Sequence, residues 1–173
     1  MYSFNILVSC LWGYQQRARF EALRLLRGVG EEKPKVGKTL ARGVLGVNIT
    51  TLNNREVVKR LKEAVMVDPS ILRFTMKWVP IDLWVNSDLP SLKEGVERLR
   101  GIIGAGERWR LTLEKRRYTE MHKIEIIREL AELIDEKVDL ENPDNILRVE
   151  IIGKYAGLAV LLPEDVLSAT KPY

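Results

Sequence analysis

The sequence predicts an α/β fold arranged in two halves, and three observations carry that expectation. Residues 4–12 alternate apolar and polar with a period of two, the pattern of a half-buried strand. From residue 15 the chain changes period. Ala18, Ala22, Leu25, Leu26 and Val29 fall at three- and four-residue steps, which marks a helix with one buried face. The group Ser87-Asp88-Leu89-Pro90 then breaks the pattern, and a second series of helical and extended segments follows it.

In the first half the initial helix ends at Gly28 and Gly30, and Gly28 to Gly43 reads as a glycine- and lysine-rich loop. The β-branched run Val44 to Thr51 is strand-like. Asn53 or Asn54 can cap the next helix, which carries Val57, Val58, Leu61 and Val65. Asp68-Pro69 stops that helix, because proline disfavours helical geometry at the residue before it. Leu72 to Val85 is extended, with an interruption at Pro80. Two strand–helix passes and a closing extended segment suit a ferredoxin-like unit, expected over residues 1–87.

In the second half, residues 88–173, Ser91 is the expected cap of a helix with Leu92, Val96, Leu99, Ile102 and Ile103 inward, ended by Gly104. Trp109, Leu111 and Leu113 line one face of a strand, with Arg110, Thr112 and Glu114 on the other. Ile124, Ile127, Leu130, Ala131 and Ile134 form the apolar stripe of a further helix. Two final strands, 146–152 and 158–162, are joined by the turn Gly153 to Gly157.

Composition narrows the function classes. With 28 basic and 24 acidic residues among 173, the chain is only mildly basic, so a local patch matters more than the total charge. One cysteine, Cys10, excludes an internal disulfide framework; its place in the alternating strand makes it a buried small hydrophobe. No run approaches the roughly 18 consecutive apolar residues of a membrane span. The expectation is a cytoplasmic protein without membrane contact. One histidine and one cysteine make no zinc site of the usual kind, so no metal, no cofactor and no catalytic residue is expected. Gly37-Lys38-Thr39 resembles the end of a phosphate-binding loop, but Glu32 stands where that motif needs its first glycine. Lys33, Lys35, Lys38 and Arg42 remain either a mobile basic loop or a contact for RNA or a partner. Trp12, Trp78, Trp84 and Trp109 all lie in strand-like segments, so packing is the expectation for each.

The strongest physical pointer is the basic turn Lys115-Arg116-Arg117, placed just ahead of a helix that starts near Met121 to Lys123. Helix starts attract anions, arginine forks suit phosphate oxygens, and Tyr118 or His122 can stack on an unpaired base. Taken alone, such a short charge run is usually solvated surface. Further on, Asn142-Pro143-Asp144 is good turn chemistry, with Val138 and Leu140 expected to plug the core and Asp139 to satisfy nearby amides.

These elements together give a family resemblance. Arg110, Arg117 with the helix after it, Lys137-Val138-Asp139-Leu140, Asn142-Pro143-Asp144, Val149-Glu150-Ile151 and Leu158-Ala159-Val160 resemble, in this order, the signature of THUMP domains. Those are RNA-binding modules of transfer-RNA-modifying systems. The first half resembles the ferredoxin-like domain that accompanies them. The resemblance implies a grip on the acceptor arm and 3′ end of tRNA, with Arg110, Lys115, Arg116, Arg117, His122, Lys123, Lys137, Asn142 and Lys154 as RNA contacts. The stand-alone architecture looks like the adaptors that present tRNA to a separate RNA cytidine acetyltransferase for N4-acetylcytidine formation. That implies a non-enzyme whose partners are tRNA and the acetyltransferase or another tRNA-modifying enzyme, with no DNA. The alternatives are an RNA-binding subunit of a different tRNA-modifying enzyme, a protein-interaction or small-ligand regulatory module, and a catalytic subunit in its own right.

Overall fold

The computed structural model describes residues 1–169, which form two compact units. One contains residues 3–81 together with residues 164–169; the other contains Asp82–Pro163 with Met1–Tyr2. The expected division, 1–87 and 88–173, differs from this grouping at both ends of the second half. The strand at 83–86 pairs within the second sheet, and the segment after Pro163 lies with the first. Residues 170–173 lie outside the described residues.

The first unit runs β1 (Ile6–Cys10), α1 (Gln15–Gly28), β2 (Lys35–Lys38), β3 (Val44–Asn48), α2 (Asn54–Val67) and β4 (Thr75–Pro80). Its sheet order is β2-β3-β1-β4, every pair antiparallel, which is the ferredoxin-like arrangement. A short β9 (Leu167–Ser168) is added alongside β4. Ile6, Val8 and Leu45 meet Ala22 and Leu26 of α1 and Val57, Val58 and Leu61 of α2 over Trp78, all fully buried. Asn53 caps α2 by accepting the Glu56 amide at 2.9 Å, as its sequence position suggests.

Strand β2 replaces the loop expected between Gly28 and Gly43. Its sequence, Lys-Val-Gly-Lys, turns only Val36 into the core, because it is a sheet edge; lysines on such an edge hide the strand from a hydrophobicity pattern. Trp12 is also a departure. It lies past the end of β1, on a turn in which Tyr14 N–H donates to Leu11 C=O at 3.1 Å and Gly13 takes φ 82°. The strand's alternation stops there, so the ring points outward with 79% of its surface exposed.

Two buried carboxylates fasten this unit's loops. Glu21 of α1 accepts the amides of Arg73, Phe74 and Thr75, at 2.9, 3.1 and 2.8 Å, and fixes the entry to β4. Glu31 accepts those of Thr50, Thr51 and Leu52, each at 3.0 Å by its shorter contact, and fixes the path from β3 to α2. Burial alone would raise the Glu31 carboxyl, but the hydrogen bonds from Thr50, Leu52 and Thr51 outweigh it and hold the group below its ordinary value.

The second unit contains β5 (Leu83–Asn86), α3 (Leu89–Leu99), β6 (Trp109–Arg116), α4 (Lys123–Ala131), β7 (Asn145–Ile152) and β8 (Tyr155–Leu161). The sheet order is β5-β8-β7-β6, with β6 and β7 parallel and the other pairs antiparallel. Trp109, Leu113, Leu147, Val149 and Leu158 pack against Leu92 and Val96 of α3 and Ile126 and Leu130 of α4. Asp88, not Ser91, caps α3: its carboxylate accepts the Ser91 amide at 3.0 Å, and the Leu89-Pro90 pair forms the first turn. Ile126 takes the inward place expected of Ile124, which is exposed. Helix α4 starts at Lys123, and the turn from His122 sets the phase of its buried face. Ile102 is likewise exposed, because α3 ends at Leu99 and a single 3-10 turn follows.

Candidate nucleic-acid interface

Because β6 and β7 are parallel, with Arg116 opposite Ile152, both strands end at the same edge of the sheet as the start of α4. Two backbone features shape this end. Arg117 has φ 57°, and it alone of the described non-glycine residues takes a positive φ. Gly153, with φ 60°, opens the two-residue Gly153-Lys154 hairpin, shorter than the turn expected, and its amide donates to Arg116 C=O at 2.9 Å. The sharp bend after β6 leaves Arg117 exposed. The tight hairpin does the same for Lys154, whose ammonium lies 5.4 Å from the Tyr155 ring centroid. His122 and Lys123 are exposed at the first turn of α4.

Lys115 and Arg116 belong to the same end but are engaged within the fold. Lys115 lies in β6, not in a turn, and its Nζ donates to Met121 C=O at 2.8 Å while sitting 5.8 Å from the Tyr118 ring centroid. It therefore holds the 117–122 turn against the strand. Arg116 Nη1 donates to Glu150 Oε2 at 2.7 Å, and Arg148 Nε donates to Glu150 Oε1 at 2.7 Å. Arg148 and Glu150 are buried, so this triad is a closed network with one net positive charge.

Carboxylates are interleaved with these cations. Glu125 accepts the His122 amide at 2.9 Å and thus places a negative charge at the helix start that the sequence offered to an anion. Tyr118 is buried and unavailable for stacking on a base. Burial pushes its phenol up, and Glu120 and Asp88 add to the shift. Arg117, Lys123, Lys154 and His122 are the exposed members of the group.

The structure places the other three expected contacts at the opposite end of β6, about 23 Å away for seven residue steps. There the 137–144 loop runs along the strand: Trp109 N–H donates to Lys137 C=O at 3.0 Å, and Asp139 N–H to Trp109 C=O at 2.9 Å. Arg110 Nη1 donates to Leu140 C=O at 3.0 Å, and Lys137 and Asn142 are exposed. Val138 and Leu140 do not plug the core; they are 51% and 68% exposed. Backbone pairing to Trp109 and the turn that follows hold this loop, so its apolar side chains are not what anchors it.

Arg108, which carried no signal by itself, is the centre of that loop. Its guanidinium bridges Asp144, at 3.3 Å, and Asp139, at 3.2 Å. Its hydrogen bond to Asp144 raises the guanidinium further and holds the Asp144 carboxyl below its ordinary value. Asp139 accepts the Asn142 and Glu141 amides and is lowered chiefly by the Asn142 bond, so it does satisfy local amides as expected. Two carboxylates flanking the proline turn were the available hint that a cation must lie between them.

Among the described residues no group of His, Cys, Asp and Glu is placed to hold a metal ion, and no helix is long and apolar enough to cross a membrane.

With this geometry in place, comparison with known proteins gives the class. Residues 87–161 match the THUMP domain family, so the second unit carries a THUMP domain, an RNA-binding module. A search of curated proteins gave no match. Among solved structures the chain is similar to the PH1313 protein of Pyrococcus horikoshii, with TM-score 0.60 and 15% identity over 95% of this chain and 55% of that one. It is similar to TrmN of Thermus thermophilus, with TM-score 0.58 and 15% identity over 90% of this chain and 44% of the other. A 4-thiouridine synthetase solved with RNA and bound ATP gives TM-score 0.57 and 17% identity, over 96% and 42%. The chain thus spans about half the length of the solved structures it matches, and the likeness establishes the shared two-unit fold.

Proposed function

We propose that the protein binds tRNA through the THUMP unit and holds it for chemistry performed by a separate tRNA-modifying enzyme. The observation that carries this reading is the exposed group Arg117, Lys123, Lys154 and His122, gathered within a matched RNA-binding domain where the parallel strands end. Support for tRNA as the RNA comes from the fold shared with a 4-thiouridine synthetase solved with RNA. Lys115 and Arg116 serve by shaping that surface, and Arg110, Lys137 and Asn142 form a separate contact point at the far end of β6. In the finer form of the proposal the enzyme is an RNA cytidine acetyltransferase, the product is N4-acetylcytidine, and the acceptor arm and 3′ end of the tRNA are what the protein grips.

The test is tRNA affinity across a salt series for the wild type and for Arg117→Glu combined with Lys123→Glu. Both residues are exposed, so the fold is unaffected. Removing two phosphate contacts lowers the slope of log affinity against log salt by about 1.4–1.8. An unchanged slope and affinity would remove these residues from the RNA surface. The acetylation role is tested by reconstitution with tRNA, acetyl-CoA and an RNA cytidine acetyltransferase, with and without the protein. Equal acetylation in both arms refutes it, and acetylation by the protein alone would make the protein itself the enzyme.

A further inference from the structure

The first unit carries a surface that the THUMP reading does not use. The turn after β1 projects Trp12 into solvent, and the adjoining face of α1 exposes Tyr14 and Phe20. Tyr14 stacks on Phe74, with centroids 5.4 Å apart and planes at 24°, and the Arg17 guanidinium covers both rings at 5.6 and 5.7 Å. Three exposed aromatic side chains along one turn and helix face lose hydration free energy unless something covers them.

Around them the surface is basic and concave. On one side of the turn a hollow of about 540 Å³ is lined by Arg17, Phe20, Arg24, Arg73 and Phe74. On the other, a hollow of about 320 Å³ lies between Trp12, Gln15 and Gln16 and the cations Lys38 and Arg42. Among the described residues none of these five cations forms an ion pair. Two carboxylates line the larger hollow: Glu21 is buried against the amides of 73–75, and Asp68 accepts from Ser70 N and Oγ at 3.0 and 2.6 Å while its charge also faces Arg73 and Arg24, the latter donating through Nη2 to Ile71 C=O at 3.1 Å. The smaller hollow has no carboxylate in its lining.

We infer that this face of the ferredoxin-like unit is a binding site for single-stranded RNA, in which Trp12 and Phe20 stack on bases while the surrounding arginines and lysine take the phosphates. Alternation of exposed rings with cations that make no close ion pair fits a chain that presents a π-face and a phosphate at every step, and a duplex, with its bases stacked inside, offers no such faces. A purely apolar protein partner would leave Arg17, Lys38 and Arg42 desolvated without counter-charge. The inference rests on the protein being an RNA binder and adds a second contact surface to that reading.

The experiment uses the full chain and a fluorescein-labelled single-stranded RNA of about 12 nucleotides, inside the range such sites cover, with a blunt RNA duplex of the same length as competitor. Trp12→Ala and Phe20→Ala are each expected to weaken binding of the single strand by about tenfold, and Trp12→Phe to retain most of it. A 4-thiouridine-substituted strand is expected to cross-link within residues 11–20. The inference is overturned if the wild type does not bind the strand, if both alanine variants bind like the wild type, if the duplex competes equally, or if cross-links fall only in the THUMP unit. It is also overturned if Trp12→Ala loses a co-purifying protein while its RNA affinity stays unchanged. Arg117 and Lys123 are read by tRNA affinity and this face by single-strand binding, so the two readings can fail separately.

Discussion

Glu31→Gln isolates how much one buried carboxylate contributes to the ferredoxin-like unit. In the native protein its two oxygens accept three consecutive amides, from Thr50, Thr51 and Leu52. Glutamine keeps the shape but turns an NH₂ group toward at least one of those N–H donors. Two bonds survive as neutral ones, each losing about 1 kcal/mol relative to a charge-assisted bond, and the third amide is left without a partner, at about 1–3 kcal/mol. Thr50 and Thr51 are exposed, so water relieves part of that penalty, and the net loss comes to about 2–3 kcal/mol. Urea unfolding followed by circular dichroism at neutral pH should move to lower midpoint by about 1–2 M. The pH dependence gives an independent check. Glu31 is held below its unfolded value, so its share of stability is present above the ordinary carboxylate range and is lost as pH falls through the lowered folded value. The gap between wild type and variant should therefore close on acidification. A midpoint shift below about 0.3 M at neutral pH, or a gap independent of pH, would refute the loop-fastening role.

Three other outcomes follow from the same kind of reasoning. Asp88→Ala removes the α3 cap and should cost about 1 kcal/mol in the same unfolding assay, whereas Ser91→Ala, expected from sequence to be the cap, should cost less. Glu150→Ala leaves buried Arg148 beside Arg116 without a counter-charge and should destabilise by about 3–5 kcal/mol; a loss under 1 kcal/mol would mean the triad is not a closed network. Arg108→Ala should let the Asp144 carboxyl rise toward its ordinary value, read by carbon NMR titration, while Asp139, still held by the Asn142 and Glu141 amides, should move less. In the wild type the part of stability tied to Asp144 is lost as pH falls through its lowered folded value, and the variant, which keeps only the backbone amide of residue 108 on that carboxylate, should show a smaller loss.

Where one face of an element is apolar and the other polar, the fold could be read from the sequence. The buried positions of α1 and α2 and the Asn53 cap follow from spacing and side-chain chemistry alone. β2 escaped because an edge strand with a lysine at each end buries a single side chain. The split between β4 and β5 escaped for another reason. The run from Leu72 to Val85 reads as extended with an interruption at Pro80, and strand partnership is a long-range property that no local pattern carries. The site was legible only as residue types. Nothing in Lys115-Arg116-Arg117 says that the second residue turns to a carboxylate in a neighbouring strand while the third points to solvent. Register decides it: Glu150 lies two residues before Ile152, the residue opposite Arg116, and so on the same face of the sheet. Trp12 shows the reverse error: two-residue alternation continues one step past a strand that ends at Cys10, where the turn closed from Tyr14 to Leu11 takes over.

The pairing of β9 with β4 bears on any attempt to dissect the protein. Leu167 is buried opposite Trp78, Ser168 lies opposite Lys77, and Lys62 Nζ donates to Glu164 C=O at 2.6 Å. A fragment cut between residues 81 and 90 would therefore leave Trp78 and the outer hydrogen-bonding edge of β4 bare. Such a piece should be sticky and only partly folded, even with every helix of its unit intact. Loss of RNA binding in it would then report a damaged sheet and not the absence of the THUMP unit. Keeping residues 1–81 and 164–169 together, joined by a short linker in place of 82–163, preserves the five-stranded sheet and gives the faithful test of what the ferredoxin-like half does alone.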